Sequence, residues 1–428
     1  MKDITITTKS NYLAKVVELK GLQKHPGADR LQVVSIDFQN VITGPDAKDG
    51  DICVFFPLEC TINKKFLSET NSYRHKEMNV NTLEAGFFED NGRVKAMKLR
   101  GEKSMGYVVP VEKVEEFAGI KISQYVGEEF DTVNGIILCE KYVVYTRQSG
   151  ENKLKGKKPR ISRIVDGQVH LHVDTEQLRK NAFKISPEDE ISVSYKVHGT
   201  SWWVSNVLGK KKLNIFEKCL RAIGINIQQT EYDHFYGSRK VVKNEYETQF
   251  TNDFYDGDLW GDIKEEVKDK VPVGFTLYGE AIGYTKGGKA IQSHYDYGCT
   301  QGEHKLQVYR ITFTNADGLV IDLSTTQMQQ FCDRSGLTFV HVYFKGKAKE
   351  MWPELSVEDH WHEEWLKKLE SAYTEKDCFM CKNIVPEEGI VIKKESMFGF
   401  ESYKLKSFRF LQLETELLDE GVLDIESI

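Results

Sequence analysis

The sequence has no apolar segment fit to enter a bilayer. No run approaches the roughly 18–20 apolar residues that a spanning helix needs, and the opening MKDITITTKS carries no apolar signal core. A soluble, intracellular (cytoplasmic) protein without a membrane partner is therefore expected. Cysteine is sparse: the eight thiols lie far apart except Cys378 and Cys381, which excludes a disulfide framework and makes reduced thiols the expectation. Basic excess is also missing. A net charge of −7 excludes chain-wide attraction to phosphate, so any contact with a nucleic acid falls to a local basic face. There is no internal repeat and no low-complexity tract. What is present, 40% hydrophobic residues and evenly spread charge over 428 residues, is enough for two or three domains with sizeable cores.

Residues 1 to about 150 are rich in short β-type runs, among them AKVVELKGL, LQVVSIDF, DICVFFPL and MGYVVPV, punctuated by Gly and Asp/Asn turns. They read as a small β-barrel or sandwich. A polar stretch, TRQSGENKLKGKKPR, carries the chain to about 160. It reads either as a solvated linker or as a contact to a phosphate backbone, and the two are compatible. From 161 to 428, strand-like runs (ISVSYKVHGTSWWVSNV, VGFTLYGEAIG, KLQVYRITFT, GIVIKK, SYKLKSF) alternate with helical ones (STTQMQQFCDRSG, VEDHWHEEWLKKLESAYTEK). Gly336 is a candidate helix stop. The expected fold is α+β.

Chemistry concentrates in Tyr195-Lys196-Val197-His198-Gly199-Thr200-Ser201-Trp202. A lysine at a strand end becomes a nucleophile once other cations and partial desolvation lower its pKa. The glycine lets backbone approach a bound nucleotide closely. Further along come Leu277-Tyr278-Gly279-Glu280-Ala281, with a carboxylate at a strand end; Glu387-Glu388-Gly389-Ile390-Val391-Ile392-Lys393, with another before a buried-type strand; and Tyr403-Lys404-Leu405-Lys406, whose two lysines share one face.

This ordered set resembles the covalent nucleotidyltransferase superfamily of ligases and mRNA capping enzymes. KVHG is similar to motif I, YGEA to motif III, EGIVIK to motif IV and KLK to motif V; Ser238-Arg239-Lys240 resembles motif Ia. Val308-Tyr309-Arg310-Ile311 falls where motif IIIa is expected, with Arg310 in place of the usual acidic residue. The resemblance implies that Lys196 carries AMP from ATP, that His198, Gly199, Arg239, Glu280 (toward the ribose), Tyr309 (on adenine), Lys404 and Lys406 (on the α-phosphate) hold the nucleotide, and that Glu388 holds or orients Mg²⁺ or Mn²⁺, directly or through water. Such a set suits phosphoryl transfer, which needs positioning and positive charge at the phosphate.

KVHGTSW resembles the KxHGTN of nick-sealing and RNA-editing ligases rather than the KxDG of DNA ligases and capping enzymes, although Ser201 replaces their Asn. Only the stretch 407–428 follows Lys406, too short for a barrel, so the extra β module comes first. An N-terminal OB-like β-barrel before a nucleotidyltransferase domain (ATP-grasp-like, antiparallel sheets with helices) resembles the Deinococcus/Naegleria type of RNA ligase. That implies a monomer sealing nicks in duplex RNA or RNA-containing nucleic acid. HPGADRL at 25–31 resembles a segment of OB-fold tRNA-binding modules. By analogy the first module would clamp the duplex, with Lys24, Arg30, Lys64, Lys65, Arg74, Lys95 and Arg100 as candidate contacts. Open alternatives are a DNA ligase, a GTP-using capping enzyme, or a nucleic-acid-binding protein with a degenerate catalytic domain. Separately, His360, His362, Cys378 and Cys381 read either as a structural zinc site or as solvated histidines and core cysteines.

Overall fold

Period-two alternation of apolar and polar residues decides the strands of this chain, and closely spaced turns decide how they pair. The computed structural model describes residues 3–8, 11–143, 163–171, 175–239, 241–243, 255, 257–357 and 360–420. The basic stretch 146–160 and Lys240 lie outside the described residues. The chain divides into two compact units, Met1–Tyr145 with Leu411–Leu423, and Thr146–Phe410 with Asp424–Ile428.

The first unit is built from short antiparallel strands, chiefly β1 (Ala14–Glu18), β2 (Gln32–Ile36), β3 (Gln39–Thr43), β4 (Ile52–Phe56) and β5 (Tyr107–Pro110). Strand β4 pairs with both β1 and β5, while β2 and β3 form a hairpin. Val16, Val54, Phe56, Phe66 and Phe130 fill one core; Val17, Val34, Val41 and Phe55, pointing the other way, fill a second. This is the small β module expected. The HPGADRL turn is closed by buried His25: its Nδ1 accepts from the Gly27 amide at 3.0 Å, so the proton sits on Nε2, which donates to the Leu99 carbonyl at 3.0 Å. Of the candidate phosphate contacts, Lys24, Lys65, Arg74 and Lys95 pair with Asp29, Glu69, Glu89 and Asp419.

The second unit holds eight longer strands: β6 (Glu190–Lys196), β7 (Thr200–Lys210), β8 (Thr230–Ser238), β9 (Phe275–Gly283), β10 (His304–Thr314), β11 (Val342–Lys347), β12 (Gly389–Glu395) and β13 (Phe400–Lys406). One sheet runs β13-β12-β6-β11, its edge extended by the two residues Glu176–Gln177, which run parallel to β13. The other runs β8-β7-β9-β10 between two short edge strands. Among the described residues the other strand pairings of these two sheets are antiparallel. Helices α1 (Leu259–Val267) and α2 (Thr325–Ser335) bury Trp260, Ile263, Met328 and Cys332 against Trp202, Leu277 and Ile311 of the second sheet. Helix α2 begins with a capping box between Ser324 and Gln327 and stops at Gly336, which takes the left-handed conformation (φ 59°) that glycine adopts without strain. Helix α3 (Trp361–Tyr373) also belongs to this unit, and α4 (Phe408–Asp419) starts in it and runs on into the stretch Leu411–Leu423 assigned to the first unit. Among the described residues no helix is long and apolar enough to cross a membrane.

Arg310, which takes the place of an acidic residue in the motif IIIa pattern, is structural. Its guanidinium grips Asp322 at 2.5 and 3.1 Å and lies over the Tyr278 ring, 5.0 Å from its centroid. Both partners are largely shielded from water, so removing one strands the other charge. Asp322→Ala should cost the second unit about 3–5 kcal/mol, read as a lower midpoint for that unit in urea unfolding of the full chain; a loss under about 1 kcal/mol would place the pair with ordinary surface ion pairs.

Candidate active site

Lys196 is the last residue of β6, and the pairing register fixes its neighbours. It lies opposite Gly389 of β12, which lies opposite Lys406 of β13; two residues back, Ser194, Val391 and Lys404 form the parallel row. Directly paired residues of antiparallel strands share a face, so Lys196, Lys404 and Lys406 rise from one side of the sheet. Three amines are thus gathered on one surface of an acidic chain. The Lys406 amine also lies over the Phe410 ring, at 5.4 Å.

Glu388 sits one residue before β12, and its Oε1 is 2.6 Å from the Lys196 amine. Its side chain is only 4% exposed, against 19% for the lysine. Gly389 makes this placement possible. Its φ is 138°, and a Cβ there would come 2.1 Å from the Leu405 carbonyl oxygen, so only glycine lets β12 start so close to β13. The Ser407 amide then donates to the Glu388 carbonyl at 2.9 Å. Oε2 of Glu388 is buried and accepts no hydrogen bond from the described residues. A buried carboxylate oxygen with spare acceptor capacity beside a phosphate-type site suits a hard divalent cation or its water, so the residues present fit Mg²⁺ or Mn²⁺.

The turn after Lys196 carries the chain from one sheet to the other, since β7 belongs to the second sheet. Gly199 is pressed against β9: a Cβ would meet the Ala281 carbonyl oxygen at 2.4 Å. Three residues that the sequence pattern did not single out hold this turn. The His198 amide donates to the Tyr297 hydroxyl at 2.9 Å. Gln292 Nε2 donates to the Gly199 carbonyl at 2.7 Å. Tyr295 lies edge-on to the His198 imidazole at 5.0 Å and donates its hydroxyl to the Pro386 carbonyl at 2.6 Å, while Phe410 also meets the imidazole at 4.9 Å. The backbone and ring of His198 are therefore both fixed by aromatic neighbours. SHYDYG at 293–298 has no helical or strand period, which is why no sequence signal marked it.

On the second sheet, Ser201 faces Glu280 across β7 and β9, and its hydroxyl donates to Glu280 Oε1 at 2.7 Å. Arg239 follows β8, whose Ser238 lies opposite Trp202. Tyr309 is the extra residue of a β-bulge: Tyr278 pairs with Arg310, and Gly279 already with Val308. A bulge re-aims a side chain and takes a carbonyl out of the ladder; here the freed Tyr309 carbonyl accepts from Lys393. Lys393 is buried, its amine 4.4 Å from the Phe400 ring centroid. Burial, and then the charge of Arg310, bring its pKa down to about 7.

The zinc reading is not supported. His360 sits beside Glu363, His362 lies 3.0 Å from the Ile185 carbonyl, and Cys378 accepts from Tyr195. Among the described residues no group of three or more His, Cys, Asp or Glu is arranged to hold a metal ion.

A sequence model of the RNA ligase family matches residues 189–408, just over half of the chain. This chain belongs to the RNA ligase family. A second model, of an OB-fold domain, matches residues 13–111. No curated protein matches the chain. Among solved structures this RNA ligase resembles that of Naegleria gruberi: a substituted form without ligand shares 16% identity over 95% of this chain and 99% of that one, with a TM-score of 0.59. Another form, with ATP and Mn, gives 15% identity, 95% and 98% coverage and a TM-score of 0.57; one with AMP and Mn gives 16%, 95%, 99% and 0.56. At such identities the likeness establishes the fold: an OB-fold region followed by a ligase catalytic domain.

Lys393 generates a pH prediction. An unfolded lysine titrates near its ordinary value of 10.5, the folded one near 7, so between these the unfolded chain holds more protons and folding stability rises with pH. Relative to Lys393→Met, which has no such proton, the wild-type ligase should gain stability from pH 7 to pH 10 in urea unfolding. A constant difference across that window would mean the amine is not desolvated.

Proposed function

We propose that this RNA ligase is ATP-dependent and carries AMP on Lys196, passes it to a 5′-phosphate end, and seals that end to a 3′-hydroxyl. The observation that carries the reading is the Lys196–Glu388 contact at 2.6 Å, set on the same sheet face as Lys404 and Lys406. In the first step the Lys196 amine gives up a proton and attacks the α-phosphorus; a P–N bond forms, and the P–O bond to pyrophosphate breaks. Lys404 and Lys406 offset the negative charge gathering on the α-phosphate oxygens. Glu280 and Arg239 take the nucleotide from the second sheet, and Tyr309 stacks on adenine. His198 orients the turn on which the nucleotide rests. Glu388 would hold Mg²⁺ or Mn²⁺, which when bound supplies positive charge to the phosphates and competes with the ammonium for the carboxylate. The Naegleria structures solved with ATP or AMP and Mn support this choice of nucleotide and metal.

The substrate reading is a nick in duplex RNA, or one with RNA on the 3′-hydroxyl side, where the ribose 2′-hydroxyl and A-form shape can be read. Residues 1–150 form the nucleic-acid-binding module and 161–428 the adenylyltransferase domain, acting as a monomer. Of the seven candidate contacts, Arg30, Lys64 and Arg100 are the first choices to reach phosphate, because Lys24, Lys65, Arg74 and Lys95 already have carboxylate partners.

Incubation with ATP or GTP labelled at the α-phosphate, with Mg²⁺ or Mn²⁺, tests the reading on a denaturing gel. Label should come from ATP and remain on the protein, vanish in Lys196→Ala, and form roughly 10²–10³-fold more slowly in Lys406→Ala, as for loss of one pre-set charge donor. Nicks ending in an RNA 3′-hydroxyl should be sealed faster than DNA ones. Label from GTP alone would point to capping chemistry, and no label from either nucleotide to a degenerate, binding-only domain.

A further inference from the structure

The Cys378-Phe379-Met380-Cys381 turn lies against the active site yet has no part in the ligation steps. The Cys381 amide donates to the Cys378 carbonyl at 3.3 Å. Such a turn brings its first and last Cα atoms within about 7 Å, the range a disulfide spans. Each thiol is the other's main electrostatic neighbour. Cys378 is buried and Cys381 half-buried, so one sulfur of the pair can meet a small solute.

What the pair touches gives it a consequence. The Tyr195 hydroxyl donates to Cys378 Sγ at 3.0 Å, and Tyr195, itself buried, directly precedes Lys196. Directly after Cys381, the Lys382 amide donates to Asp296 Oδ1 at 2.9 Å, next to Tyr297, whose hydroxyl holds the His198 amide. The turn also opens the hairpin that delivers Glu388: the Cys378 amide donates to Val385 at 2.8 Å, Asp377 bridges Pro386, and the Glu387 amide donates to Lys376 at 3.0 Å. One pair of thiols is thus fastened to the strand of the nucleophile, to the support of the motif I turn, and to the loop of the carboxylate. Chemistry favours reactivity here. The contact with Cys381, then the hydrogen bonds from Tyr195 and backbone amides, bring the Cys378 thiol down to about 6 against the opposing effect of burial, whereas burial pushes Cys53 and Cys332 up to about 12.

We propose that Cys378 and Cys381 form a reversible oxidation site, converted by a low-molecular-weight disulfide such as oxidised glutathione into an intramolecular disulfide that slows the charging of Lys196. The contact with Cys378, and then burial, hold Cys381 well above the ordinary thiol range, so the pair's charge rests on Cys378, which takes the Cys381 proton as the half-buried Cys381 attacks. Its sulfur attacks the small disulfide, forming one S–S bond and breaking the reagent's, and a first glutathione thiolate leaves. Cys378 then loses its proton and attacks Cys381 Sγ; the mixed S–S bond breaks and a second thiolate leaves. Two electrons pass to the reagent, and both thiolates take up the protons released. The disulfide sulfur is a poor acceptor, so Tyr195 loses its partner beneath Lys196, and the hairpin of Glu388 is tightened. The effect on charging rests on the reading of Lys196 as the adenylylated residue; disulfide formation does not.

The test uses the full chain as Cys219→Ser, because Cys219 is an exposed thiol elsewhere. After treatment with oxidised glutathione and alkylation of free thiols, mass spectrometry should place a disulfide within 378–381, absent from Cys381→Ser. The initial rate of labelling from ATP should fall by at least about tenfold, roughly 1.4 kcal/mol in barrier, and recover with dithiothreitol. Cys381→Ser should label at the reduced rate before and after glutathione. A second readout, tyrosine near-ultraviolet circular dichroism, should change on oxidation of the Cys219→Ser protein only. Free thiols at 378 and 381 after treatment, or a mapped disulfide with an unchanged rate, would overturn the proposal. No label from the reduced protein would instead overturn the ligation chemistry while leaving the mapped disulfide to stand or fall by itself.

Discussion

The second unit is organised around one contact: a carboxylate almost shut off from water, Glu388, that requires a cation, and a strand-end amine, Lys196, that supplies it. A buried charge left alone would cost several kcal/mol, so the pairing constrains where β12 begins relative to where β6 ends. The register that satisfies it also lines up Lys406 with Gly389 and Lys404 with Val391. Lys196, Glu388, Lys404 and Lys406 are therefore brought together by a single pairing solution.

Close backbone approach is the second constraint. Gly199 and Gly389 stand where a Cβ would fall 2.4 and 2.1 Å from a carbonyl oxygen. At Gly199 this draws the turn after Lys196 onto the neighbouring sheet, whose Ser201–Glu280 pair and Tyr309 bulge then lie just beyond it in the chain or across the strand. The two sheets differ in what they bring: the first gathers amines and a carboxylate, the second polar and aromatic groups.

Net charge misleads for a related reason. An acidic total of −7 says little about a sheet face on which three lysines converge, because screening cuts the reach of distant charge to about 8–10 Å. Likewise Arg310, which departs from the motif pattern, serves the fold through Asp322, and the residue type alone could not separate a fold role from a nucleotide role.

The strands, the order of KVHG, YGEA, EGIVIK and KLK, the family they resemble and the helix stop at Gly336 were all legible in sequence, because strand alternation, glycine turns and caps are local. So was an N-terminal β module of OB type. Tertiary structure alone decided the rest. It matched Lys196 with Glu388, placed Tyr295, Tyr297 and Gln292 under the motif I turn, buried Lys393 beneath the Tyr309 bulge, and kept His360 and His362 from joining Cys378 and Cys381. The contacts that form join residues from 84 (Tyr309 to Lys393) to 192 (Lys196 to Glu388) positions apart. No period or spacing encodes such pairs; they follow from which sheet faces meet and how tightly backbone can pack.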